Sequence, residues 1–317
     1  METIGSPLLW AGFLAFVLAM LALDLGVFHR KAHEVGAREA ATWSAVWIGL
    51  AALFNVGVYW WFGPQRALEF TTGFLIEKAL AVDNIFVFVV IFTTFAVPRA
   101  YQHRVLFWGV LGALVMRAAF IFLGAAFLQR FHWAIYVFGA ILAITGVKLL
   151  LQRHQELHPE RNPLVRAFQR LFPVTHEFAG DKFTVVRQGR RYATPLLLAL
   201  VAVEFTDLVF AIDSIPAIFA VTSDPFIVFT SNIFAILGLR SLYFLLAGAI
   251  TKFAYLKIGL SLVLVFVGLK MLLMDVYKIP IALSLAVIAA ILGASIVLSW
   301  LRPPARARTG PSAPRAR

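Results

Sequence analysis

Stretches of about 20 mostly apolar residues recur along almost the whole chain, separated by short polar breaks. Each is long enough to cross a hydrocarbon core about 30 Å thick as an α-helix. The pattern predicts nine such spans: Pro7–Phe28, Trp43–Phe62, Phe70–Phe95, Val105–Phe127, Trp133–Leu151, Thr194–Val221, Phe226–Ile250, Tyr255–Met274 and Ile279–Trp300. The expected fold is therefore an all-α polytopic membrane protein with about nine transmembrane helices, and an odd number places the termini on opposite sides. The first span has no basic residue ahead of it and His29, Arg30 and Lys31 behind it, the reverse of a cleaved signal peptide, so it is read as a permanent helix.

The chain divides into spans 1–5 (1–151), a polar segment (152–193), spans 6–9 (194–301) and a tail (302–317). In the polar segment, Leu164, Val165, Phe168, Leu171 and Phe172 fall at helical spacing opposite Arg166, Gln169 and Arg170, which predicts a short helix lying on the inner leaflet. Phe183–Val186 and the R-Q-G-R run at Arg187–Arg190 predict a small hairpin. The proline-rich basic tail is expected to be disordered.

Composition agrees with the spans. Of 317 residues 61% are hydrophobic and 14% charged, far from the globular norm. The net charge of +12 would suit nucleic acid, but its distribution decides otherwise. Twenty Lys and Arg lie in the loops and tail on one side of the predicted spans, and three, Arg66, Arg130 and Lys278, on the other. The positive-inside rule then puts the N-terminus outside and the C-terminus in the cytoplasm, and orientation accounts for the basic surplus without nucleic acid. The chain has no cysteine, which excludes disulfides, thiolate metal sites and a CxxC redox centre.

The third and sixth spans carry a matched motif, E-K-A-L-A-V-D-N-I (Glu77–Ile85) and D-L-V-F-A-I-D-S-I (Asp207–Ile215). The following spans match as R-A-A-F-I-F-L-G (Arg117–Gly124) and R-S-L-Y-F-L-L-A (Arg240–Ala247), and the next as G-V-K-L-L-L (Gly146–Leu151) and G-L-K-M-L-L (Gly268–Leu273). Three matches in one order predict a duplicated three-helix unit, spans 3–5 and 6–8. Because the unit is odd-numbered, the copies are inverted, as in secondary transporters whose substrate site lies near the bilayer midplane.

Apart from Lys257 at the edge of the eighth span, which is counted with its loop, eleven ionisable residues fall within the spans: Asp24, Glu77, Asp83, Glu204, Asp207, Asp213, Lys78, Arg117, Lys148, Arg240 and Lys270. Unpaired, their insertion would cost on the order of 30 kcal/mol. A structural lattice of ion pairs explains Arg117, Arg240, Lys148 and Lys270 as well as a functional role does, and Asp24 and Lys78 join that group. The acids of spans 3 and 6 point to an ion pathway. Glu77 shares a helix face with Asn84, and Asp207 with Ser214 and Glu204, whereas Asp83 and Asp213 lie about 120° away on a straight helix. Pro216 removes a backbone donor and predicts a break at D-S-I-P, which would free carbonyls beside Asp213. The resulting candidate ligands, Glu77, Asp83, Asn84, Glu204, Asp207, Asp213 and Ser214, offer only oxygen, while all seven histidines lie in loops or at span edges. Such a set favours Mg²⁺, Ca²⁺ or Mn²⁺ over Zn²⁺ or copper.

These motifs resemble the TerC family of bacterial integral membrane proteins, Alx-type members included. The resemblance covers D-L-G-V-F-H-R-K (Asp24–Lys31), Phe70–Asn84 and nearly all of the stretch from Asn162 to Leu246. It implies a multi-spanning inner-membrane protein of metal-ion homeostasis, notably manganese export, with a historical link to tellurite resistance. The family's acidic positions fall on Glu77, Asp83, Asn84, Glu204, Asp207, Asp213 and Ser214. Some members carry a redox-modulator label, for which this chain supplies no thiol.

The leading expectation is a non-enzymatic exporter of a hard divalent cation, Mn²⁺ foremost, with no tightly bound cofactor. No phosphate-binding loop for ATP is present, so proton antiport through the carboxylates is the expected coupling. The alternatives are a tellurite or other oxyanion transporter using the four basic residues, and a scaffold that recruits a cytoplasmic partner to 152–193. The bilayer and the metal ion are the expected partners, and a homo-oligomer stays open.

Overall fold

A computed structural model describes residues 3–23, 36–131, 133–151, 168–170, 172–175, 177–247 and 255–301, except for the side chains of residues 83 and 129. The chain is overwhelmingly helical. Helix α1 is Pro7–Leu23, α2 Ala37–Thr94, α3 Arg99–Arg130 and α4 Ala134–Leu151. A two-stranded hairpin, β1 (Thr184–Arg187) and β2 (Arg190–Ala193), precedes α5 (Pro195–Phe219), α6 (Pro225–Leu237), α7 (Leu239–Leu246), α8 (Leu256–Leu272) and α9 (Ile281–Leu301). Among the described residues, four helices can cross a membrane by length and apolarity alone, Arg99–Leu128, Ala134–Leu151, Pro195–Phe219 and Ile281–Leu301, and the bent pair α6–α7 makes a fifth. The outer surface is apolar where a water-soluble protein would be polar, with Trp60 80% exposed and Leu8, Trp61 and Trp300 similarly bare, as a lipid-facing surface requires.

Helix α2 is two helices folded back on each other. Gly63, at φ 86° and ψ 174°, is its non-helical residue, and Pro64 follows. Glycine tolerates that backbone and proline starts a helix without needing a donor. The Asn55 amide donates to Thr71 Oγ1 at 2.8 Å, although 16 helical residues in line would span about 24 Å. The legs 37–62 and 64–94 are therefore antiparallel neighbours. Trp10 and Phe13 of α1 pack into an aromatic cluster with Phe54 of the first leg and Phe226, Phe229 and Phe234 of α6.

Helices α4 and α8 approach through small residues. A Cβ on Gly268 would lie 2.7 Å from the Gly139 carbonyl oxygen, and one on Gly146 would lie 2.8 Å from that of Ser261. Contact of 139 with 268 and of 146 with 261 makes the pair antiparallel, with backbones in direct contact as membrane helices achieve with glycine and serine.

Helix α5 does not break at D-S-I-P. It runs to Phe219 with Pro216 inside it. Pro216 forfeits the bond to the Ile212 carbonyl, but Ile215 through Phe219 are all buried against neighbours that hold the segment. The leg 64–94 is likewise continuous past Asp83. A bend of 41° falls instead at Gly238, between α6 and α7.

The hairpin is present with its turn at Gln188 and Gly189, both at positive φ (50° and 75°), the conformation that suits a two-residue loop. It sits at the start of α5, where the Thr194 hydroxyl donates to the Lys182 and Phe183 carbonyls, and Arg104 of α3 pairs with Asp181. At the far end of α5, the Thr222 hydroxyl donates to Glu69 Oε2 at 2.7 Å, and Asp224 accepts from the Thr3 hydroxyl and the Ile4 amide, each at 2.8 Å. Asp224 also caps α6 by accepting from the Phe226 amide. Of the expected inner-leaflet helix, 168–170 are helical and Phe168 stacks on Phe172 at 4.8 Å, and the rest lies outside the described residues. Asp24 and the tail lie outside them too.

Candidate functional site

The centre of the bundle holds a guanidinium between two carboxylates. Arg117 of α3 donates from Nε to Asp207 Oδ2 at 3.1 Å and from Nη2 to Asp207 Oδ1 at 2.8 Å, a two-pronged contact with a residue of α5. Its Nη1 donates to Glu77 Oε1 on the second leg of α2, and reaches Ser214 Oγ at 3.3 Å. Glu77 and Arg117 are each 1% exposed and Asp207 is 2% exposed. Residues 207 and 214 stand on one face of α5 two turns apart, which is why both reach the same guanidinium.

The cluster carries two formal negative charges against one positive. Glu77 Oε2 has no hydrogen-bond partner, and neither does the buried Asn84 Oδ1 two turns further along the helix. In a low-dielectric interior such groups are costly unless a cation or a proton satisfies them. Lone pairs of a carboxylate, an amide and a hydroxyl are also the donors a hard cation takes.

The other candidates are distributed around this core. Glu204, half-buried and one turn before Asp207, occupies the space left by Gly112, where a Cβ would fall within 2.4 Å of three of its carboxyl atoms. Asp213 faces elsewhere, because α5 is continuous, and its carboxyl stands beside Thr145 of α4. The Asp83 side chain and Asp24 lie outside the described residues. Among the described residues no three His, Cys, Asp or Glu converge as a metal cage, so the single seven-member ligand set expected from the motifs is not assembled in this conformation. Of that set Glu77, Asp207 and Ser214 meet, and they meet around Arg117.

Of the expected counter-ions, Arg117 is seen paired with intramembrane carboxylates. Lys78 donates instead to the Ala235 carbonyl at 3.0 Å, with its ammonium 5.8 Å from the Phe74 ring centre. That carbonyl lies in the last turn of α6, just before the bend, where a cation complements the helix dipole. Lys148 is exposed on α4, and Lys270 is half-buried with its charge near Glu69. Arg240 follows Gly238 at the start of α7. The motif reading missed Thr145 and Gly112, whose signals were a lone hydroxyl and a lone glycine in apolar helices. It also missed Glu69, which accepts from Arg66 at 2.8 Å and from Thr222.

Comparison with known proteins places this geometry in context. Residues 62–307 match the family described as the integral membrane protein TerC family. An uncharacterized membrane protein of Myxococcus xanthus is 64% identical over 305 residues, covering 95% of this chain and 96% of that one. A protein of Escherichia coli K12 named "Putative membrane-bound redox modulator Alx" is 50% identical over 312 residues, 95% of this chain and 97% of the relative. An uncharacterized membrane protein of Rickettsia bellii is 42% identical over 293 residues, 92% and 97%. No solved structure matches.

Proposed function

The chain belongs to the TerC family of integral membrane proteins, and on that footing we propose that it is a secondary transporter exporting a hard divalent cation, Mn²⁺ foremost, through its intramembrane carboxylates. The observation that carries the reading is the Glu77–Arg117–Asp207 cluster: a buried site of net negative charge, with one carboxylate oxygen unpartnered, where helices of both motif-bearing halves meet. Export of a dication against an inside-negative potential costs about 4.6 kcal/mol per 100 mV, so the cycle requires coupling. With no ATP-binding loop in the chain and carboxylates able to exchange protons for metal, we assign the coupling to H⁺ antiport.

The architecture proposed for this transporter has nine crossings: α1, the two legs of α2, α3, α4, α5, the bent pair α6–α7, α8 and α9. The N-terminus lies outside the bacterial inner membrane and the C-terminus in the cytoplasm, by the bias of 20 basic residues against three. Spans 3–5 and 6–8 form an inverted repeat. Its support is that exchanging the motif-equivalent positions 139 with 261 and 146 with 268 exchanges the two close approaches of α4 and α8. Likewise the contact of Gly73 with Ser231, between α2 and α6, has a counterpart in that of Gly109 with Val203, between α3 and α5.

The oxyanion alternative loses its anchor at Arg117, whose donors are directed to carboxylates and a hydroxyl. The name borne by the enteric relatives points to redox chemistry, and a chain without cysteine has no thiol route to it. The metal content of cells with and without the protein, grown in excess manganese, tests the reading. Lower Mn²⁺ in expressing cells is the expected result, and unchanged Mn²⁺ with altered tellurite uptake would overturn it.

A further inference from the structure

We propose that Arg117 is a tethered cation whose guanidinium holds, between Glu77 and Asp207, the place the divalent ion takes during transport. The proposal rests on the reading of the chain as a cation carrier and names how its empty state is kept stable.

A carrier of dications has to survive without cargo. Two carboxylates buried to within 2% of full enclosure cannot remain ionised and unpaired in hydrocarbon surroundings. Arg117 meets that need, and its hold on the two acids is unequal. Asp207 receives both prongs of the fork, whereas Glu77 takes a single guanidinium donor at Oε1 and keeps Oε2 without a partner. An incoming ion therefore finds free lone pairs on Glu77 and no competitor at that oxygen. The Nη1 group that must let go of Glu77 already stands 3.3 Å from Ser214 Oγ, an acceptor on the same helix face as Asp207. The guanidinium can thus release Glu77 without losing every partner. Lys78, next in sequence to Glu77, is committed to the Ala235 carbonyl, and Glu204, one turn before Asp207, lies against Gly112. Neither provides the positive charge that the pair requires.

Charge makes the exchange self-limiting. The cluster is formally −1 with Arg117 in place and would be +1 with both the arginine and a dication between the carboxylates. Like charges in a low-dielectric site repel strongly, so the two cations exclude each other. An internal competitor of this kind keeps affinity modest and promotes release, which a carrier needs more than tight binding.

The test measures Mn²⁺ binding to purified full-length protein by calorimetry and by the Mn²⁺-induced rise in Tm, for wild type, Arg117→Gln and Arg117→Lys. Removing the competitor should tighten binding at least tenfold in Arg117→Gln and enlarge the Tm rise. Counterflow in liposomes should fall, because the ion is no longer displaced. Arg117→Lys, a single point charge unable to fork across both acids, should lie between the two. Should Arg117→Gln fail to fold without metal, Arg117→Lys carries the same comparison. Binding by a folded variant that is equal to or weaker than wild type would overturn the proposal. A wild type that neither binds nor exchanges Mn²⁺, Mg²⁺ or Ca²⁺ would overturn the carrier reading itself.

Discussion

Two regions that share a motif differ in how their backbones carry it. In the first, Arg117 lies well inside α3, an unbroken helix of 32 residues, and is sealed between two acids. In the second, the matching Arg240 comes just after Gly238, where the span bends by 41°. Helix α6 ends there, with its Ala235 carbonyl capped by Lys78. The second region has no copy of that lysine, since Leu208 stands at its motif position. Near-identical spacing of charges thus coexists with a rigid arginine in one half and an arginine beside a bend in the other. The motif sets which groups are buried, while two residues without a copy in the matching half, Gly238 and Lys78, set where the span bends and what caps it.

The sharpest way to break the comparison is to empty the rigid half. Arg117→Met should destabilise the metal-free protein by about 3–5 kcal/mol, since it strands Glu77 and Asp207, and thermal unfolding in detergent would show it. Next in size is the α4–α8 contact, where both halves meet. Gly268→Ala would place a Cβ 2.6 Å from the Ala143 amide nitrogen, an overpacking cost of about 1–3 kcal/mol. Gly293→Ala, with open space around it, should be neutral in the same assay.

Smaller again is the bend itself. Lys78→Met keeps the stem and removes the cap, at about 1 kcal/mol, and should raise hydrogen exchange at the end of α6 while leaving α3 unchanged. Equal change in both helices would erase the distinction between the halves. The smallest effect concerns the hairpin. The Arg187 guanidinium, bonded at 2.7 Å, holds the exposed Glu177 carboxyl below its ordinary value of 4.5. Protection of β1 and β2 should therefore be full above that pH and decline slightly as pH falls below it. Arg187→Gln should abolish the dependence.

The all-helical character was legible because apolar runs of membrane length have few alternatives, and the hairpin because R-Q-G-R places Gly189 where a positive φ is needed. That Asp207 and Ser214 share a face was legible from their spacing, whereas their meeting with Glu77 around the Arg117 guanidinium was not. Other features depend on tertiary packing that no local pattern encodes. Pro216 signalled a break that surrounding side chains suppress, whereas Gly238, an ordinary glycine in an apolar stretch, marks the real one. Lys78 was grouped with the counter-ions, yet helix geometry turns it about 100° from Glu77 and sends it to a carbonyl 157 residues away. Thr145 became visible only once α4 was laid beside α5.

On the proposed function, the buried carboxylates around Arg117 carry a divalent cation in exchange for protons. The most direct measurement is Mn²⁺ flux into liposomes containing wild type or Glu77→Gln, with and without an imposed pH gradient. The account predicts gradient-driven flux in wild type and near-complete loss in a well-folded Glu77→Gln, whose amide keeps the size of the group and removes the anion. Undiminished, gradient-dependent flux through Glu77→Gln would contradict it.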